Sequence, residues 1–168
     1  MKNVLIILLT PLLINCQTEK AAVSKYPAQV GDITFNEKED GSDFKKCGEG
    51  QSYSFQYYSI DGFQYKGEKI AIQNDLQKLH ISGDKSLNIY ITIRFIVNCE
   101  GKTGMFKMQG MDFNYKEIPL DKKLGEQLLN FTKSLKGWVP KKIQNHQIDY
   151  YQYLTYKIEN GKVSEILP

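Results

Sequence analysis

Between residues 89 and 97 apolar and polar positions alternate, with Ile89, Ile91, Ile93, Phe95 and Val97 on one side and Tyr90, Thr92 and Arg94 on the other. A period of two puts these sets on opposite faces of a β-strand, one face strongly apolar. Ile96 falls on the polar side, so that face is expected to be partly covered as well. Asn98-Cys99-Glu100-Gly101-Lys102 is turn chemistry, with Gly101 free to take a positive φ. Phe106 and Met108 then alternate with Met105, Lys107 and Gln109. The two runs predict a hairpin with Cys99 at its tip.

Further on the period lengthens. Leu120, Leu124, Leu128, Phe131 and Leu135 recur at i, i+4, i+8, i+11 and i+15, one stripe on a helix over 121–136. Pro119 suits its first turn, Lys133 and Lys136 suit the dipole at its end, and Gly137 suits a C-terminal cap. Gly125 costs roughly 1 kcal/mol of helicity against Ala. Ile70, Ala71, Asn74, Leu76 and Leu79 predict a shorter helix of about ten residues from Glu68, broken by Gly83-Asp84-Lys85. Tyr53, Phe55 and Tyr57 alternate with Ser52, Ser54 and Gln56 as a strand, followed by an Asp61-Gly62 turn. Asn145-His146-Gln147 reads as a turn. A β-prone segment over 150–158 has Gln152, Leu154, Tyr156 and Ile158 on one side and Tyr151, Tyr153, Thr155 and Lys157 on the other. Asn160-Gly161 is a hairpin signal, and 162–167 a short last strand. Residues 32–50 read as irregular, with a short strand near 33–35. The expected fold is α+β, an antiparallel sheet with one or two helices packed on it and an N-terminal β extension, forming one domain over 32–168.

The N-terminus changes this picture. Val4 to Ile14 is an apolar run after Met1-Lys2-Asn3. It is too short for a spanning helix, which needs about 20 residues, and fits a secretory leader. Leu13-Ile14-Asn15-Cys16 resembles the lipobox of bacterial lipoproteins, although Asn15 stands where Gly, Ala or Ser is usual. This predicts a leader over 1–15, acylation of Cys16, a polar tether over 16–31, and attachment to a membrane through lipid in the bacterial cell envelope, outer membrane foremost. An ordinary secretory leader with an incidental Cys is the other reading.

With Cys16 carrying lipid, Cys47 and Cys99 remain as an even pair in an oxidising compartment. They read as a disulfide closing a loop of about fifty residues, the alternative being two separate buried thiols. His80 and His146 sit apart, so no metal set is expected. The 168 residues carry 22 basic and 19 acidic side chains for a formal charge of +3, too little excess to imply nucleic acid. Arg94 is the only arginine, which argues against a phosphate-reading surface. Arg94 and Asp149 read as surface charges, and Trp138 as core. No G-x-S-x-G, H-E-x-x-H, P-loop or Cys/His couple occurs, so neither catalysis nor a cofactor is expected.

The element order over about 63–159 resembles the C-terminal domain of the TonB family. Tyr65-Lys66-Gly67-Glu68 opens a helix, Val97-Asn98-Cys99-Glu100-Gly101-Lys102 matches a V-x-x-x-G-K turn, and Trp138-Val139-Pro140 matches a W-x-P exit after the second helix. The chain lacks that family's membrane helix and Pro-rich spacer, so energy coupling is not implied. The resemblance implies that the last strand edge receives an extended segment of a partner. Carried over, that edge is 150–156, with Tyr150, Tyr151, Tyr153, Thr155 and Tyr156 as partner-binding residues. The competing expectation is that the final strand covers this edge. The sequence therefore predicts a non-catalytic, lipid-anchored module that binds an envelope protein, in a fold that also admits a homodimer. The alternative is a small-ligand or glycan binder using the aromatic segment 53–65.

Overall fold

The structure, a computed structural model, describes residues 33, 40, 43–47, 63–143 and 145–167. The leader, Cys16, the tether, the 53–57 strand and most of the 53–65 aromatic segment lie outside the described residues. Of the expected strand near 33–35 only Ile33 lies inside, and it belongs to no strand.

In chain order the elements are α1 (Glu68–Gln77), β1 (Ile89–Val97), β2 (Thr103–Met111), β3 (Glu117–Ile118), α2 (Lys122–Ser134), β4 (Lys141–Ile143), β5 (His146–Ile148), β6 (Tyr150–Glu159) and β7 (Lys162–Leu167). Five strands form one antiparallel sheet in the order β3-β2-β1-β6-β7, and β4 and β5 form a separate ribbon. The protein is α+β, as its periodicities predict. The most apolar strand, β1, takes the centre, paired from Ile89↔Ile158 to Val97↔Tyr150 with β6 and from Tyr90↔Met111 to Val97↔Thr103 with β2.

Both helices pack on one face. Ile89, Ile91, Ile93, Phe95 and Val97 meet Ile72 and Leu76 of α1, Leu124, Leu128 and Phe131 of α2, and Leu135 and Trp138 beyond it. Burying such side chains supplies most of the drive to fold, about 1.5–3 kcal/mol for each large one. The expected stripe on α1 is rotated from the observed one. Ile72 is fully buried, whereas Ile70 is 59% and Leu79 55% exposed. Ile72 and Leu76, about one turn apart, are its buried positions, so two apolar residues decide its face.

Asp121 caps α2, its Oδ1 accepting from Leu124 N at 2.7 Å. The helix stops at Leu135, whose backbone is extended, and Gly137 is not a left-handed cap. Gly137 is small for another reason: a Cβ there would lie 2.6–2.9 Å from ring carbons of Tyr65. That ring packs edge-on against Trp138 at 4.9 Å, and Lys66 N donates to Gly137 O at 2.8 Å. The β6–β7 turn has Asn160 at φ 52° and Gly161 at φ 72°, the positive pair of a tight hairpin that suits strand twist.

The second sheet face is covered where β1 carries Ile96. There Ile33, Met105 and Tyr151 are buried with Phe44 packed against them. Met105 occupies a bulge, with φ 56° and a register shift opposite 94–96.

A candidate peptide-binding cleft at the β2 edge

The five expected partner-binding residues lie on β6, where their side chains do not form an adhesive surface. Tyr150, Tyr151 and Tyr156 are buried, at 5%, 3% and 0% exposure. Tyr150 donates its hydroxyl to Val139 O at 2.9 Å, Tyr151 OH accepts from Ile33 N at 3.3 Å, and Tyr156 OH meets Thr132 Oγ1 at 2.9 Å. Burial pushes the Tyr150 and Tyr156 phenols well above their usual range. Tyr153 and Thr155 are half-buried, and the Thr155 hydroxyl bonds that of Thr92 at 2.9 Å. The β6 backbone is also engaged. One edge pairs with β1 throughout, and the other pairs with β7 from Thr155 to Glu159. At Tyr153 the N–H donates to Gln152 Oε1 at 3.0 Å. The Asn160-Gly161 turn folds β7 along β6 from Thr155 onward, so of the expected edge 150–156 it covers Thr155 and Tyr156.

The cysteine expectation holds: Cys47 and Cys99 form a disulfide across 52 residues. It is seated on Asp149. The Asp149 carboxylate accepts from Cys47 N at 3.0 and 3.2 Å and from Cys99 N at 3.2 Å. Asp149 is 4% exposed and Arg94 5%, so neither is the surface charge its sequence context implied. Buried carboxylates need such donors to offset desolvation. The two sulfurs and the carboxylate lie within 4.8 Å of one another. With the sulfurs bonded together and the carboxylate on backbone amides, the cluster is a staple rather than a ligand set.

The staple places one wall of a cleft. Asn98 holds its own turn, accepting at Oδ1 from Glu100 N and Lys102 N, and donates Nδ2 to Lys45 O at 3.0 Å. Residues 43–47 are thereby fixed against the hairpin tip, and Phe44 lies where a Cβ on Gly104 would collide with its ring. The opposite wall comes from the end of α2 and the segment after it, with Leu129, Lys133, Leu135 and Lys136. Between the walls lies the start of β2. The cleft measures about 760 Å³ and its apolar lining includes Phe106, stacked on Phe95 at 5.3 Å between ring centres. Lys133 Nζ stands 5.5 Å from the centre of the Phe106 ring.

The backbone at this cleft is a sheet margin. β3 pairs with β2 only at Gly110 and Met111, and among the described residues no strand adjoins 103–109 on that side. The far margin differs: β7 is short and carries Lys162, Ser164 and Glu165, the polar dressing that discourages pairing. Sequence reasoning recognised Phe106, Lys133 and Leu135 as parts of elements but did not bring them together. Phe44 carried no periodic signal that could have placed it there.

No protein-family model, no curated protein and no solved structure matches this chain.

Proposed function

We propose that the chain is a lipid-anchored, non-catalytic binding module of the bacterial cell envelope, which receives an extended segment of an envelope protein by strand addition along β2. The observation that carries this reading is the β2 margin over 103–109, which adjoins no other described strand and runs into an apolar-lined cleft. Main-chain pairing supplies affinity in such recognition, and flanking pockets select side chains. This retains the binding mode implied by the TonB-like resemblance and moves it from β6 to β2, because β7 pairs with Thr155 and Tyr156 and the side chains of Tyr150, Tyr151 and Tyr156 are buried. The leader and lipobox around Cys16 support the location. Among the described residues no helix is long and apolar enough to cross a membrane.

The test is made with the full chain in a bacterial host. Cys16→Ala is expected to move the protein from the membrane to the soluble fraction and to remove the acyl mass. A photo-crosslinking residue at position 103 is expected to trap an envelope protein, and one at position 164 on β7 to trap none. A Cys16→Ala chain that stays on the membrane overturns the anchor. Capture at 164 with none at 103 overturns the β2 edge.

A further inference from the structure

Resting on the strand-addition reading of β2, we propose that the incoming segment is acidic, with carboxylates at alternate positions on the side that faces α2. A strand laid along β2 presents successive side chains to opposite faces of the sheet, so side chains on one face recur about every 6.6–6.8 Å. On the helix side they meet Leu129, Lys133 and Lys136. Leu129 and Lys133 are i, i+4 neighbours on α2, and Lys136 follows just beyond its end. Both lysines are exposed, and among the described residues no carboxylate lies within ion-pair distance of either. The other lysines near the cleft differ: Lys102 is held by Glu100 at 2.6 Å and Lys107 by Asp40 at 3.6 Å. On the opposite face the incoming side chains meet the Phe44 ring over Gly104, an apolar contact flanked by Asp43 and by Asp40, whose charge is paired with Lys107.

The two walls together specify an alternation of acid and apolar residues. A basic segment would bring its charges against Lys133 and Lys136. A neutral one would leave two ammonium groups beside a contact that has displaced water. Electrostatic complementarity of this kind selects partners and speeds encounter more than it raises affinity.

The full chain in detergent, titrated with fluorescent peptides of about ten residues, decides the matter. The peptides alternate Val with Glu, Gln or Lys. The Glu-Val peptide is expected to bind about tenfold more tightly than Gln-Val, with Lys-Val weakest. The gap narrows as salt rises from about 0.05 to 0.5 M. In the double variant Lys133→Glu, Lys136→Glu the order inverts and Lys-Val becomes the tightest, a gain that a misfolded variant would not show. Equal binding of Glu-Val and Gln-Val overturns the acidic preference and leaves strand addition standing. Undiminished binding of a Glu-Val peptide methylated at alternate backbone nitrogens overturns strand addition itself. Displacement of the Glu-Val peptide by mixed micelles carrying anionic phospholipid, but not by ones carrying neutral phospholipid, assigns the lysines to a membrane surface and overturns the peptide proposal.

Discussion

Single side chains on β6 show how a residue that looks adhesive becomes structural. Tyr156 OH meets Thr132 Oγ1, and Thr132 donates to Leu128 O at 2.7 Å, so the phenol ties the central sheet to α2. The Tyr150 phenol is tied to Val139 instead. Both ionise well above the ordinary value of 10.0 because burial disfavours the phenolate. In the unfolded chain they ionise near that value. Their contribution to stability is therefore complete below about pH 10 and is lost as pH rises further, by about 1.4 kcal/mol per pH unit for each phenol. Urea midpoints measured from about pH 9 to 11 are expected to fall more steeply for the wild type than for Tyr156→Phe, which at neutral pH loses about 1 kcal/mol. At this scale the sequence was a partial guide. Trp138 was read correctly as core, because its size and position after a helix favour burial. Asp149 was misread, because its partners are the backbone amides of residues 47 and 99 and nothing in its own neighbourhood announces them.

Elements whose apolar positions repeat many times were legible. Five stripe positions place α2, and five alternating positions place β1, so tertiary contacts had little to override. The helix ends were less so. Gly137 follows α2 where a glycine cap is common, yet its φ is not positive and its lack of a side chain serves the Tyr65 ring instead. Gly137→Ala is accordingly expected to cost about 1–3 kcal/mol through overpacking rather than backbone strain. In a Tyr65→Ala background the same change is expected to be close to neutral, a coupling that a double-mutant cycle of thermal or urea unfolding measures directly. Additive effects would mean that the two residues do not meet. The β2 margin belongs to this scale as well. Sequence pattern identified β2 as the return strand of a hairpin, but a strand's own residues do not state which neighbour it lacks. That depended on β3 being only two residues long and on α2 beginning soon after it.

At the scale of the whole molecule, one covalent bond joins the N-terminal segment to the sheet. Reduction of Cys47–Cys99 is expected to lower stability by roughly 3–4 kcal/mol, from loop-closure entropy. Because residues 43–47 form a cleft wall, reduction is also expected to weaken peptide binding while α1, α2 and the sheet remain folded. Urea unfolding and peptide titration, each with and without a dithiol reductant, check the two effects, and a reduced protein with unchanged affinity would detach the wall from the site. By itself the sequence determined the α+β class, the central hairpin, the long helix and the pairing of the two cysteines. Each of these rests on local periodicity or on counting. Only the tertiary structure decided that β7 covers the end of β6, that Asp149 lies under the staple, and that Phe44, Phe106 and Lys133 surround one cleft. Strand order and the meeting of distant segments follow from how the apolar faces can be buried together. That is a property of the whole packing, and no stretch of the chain carries it alone.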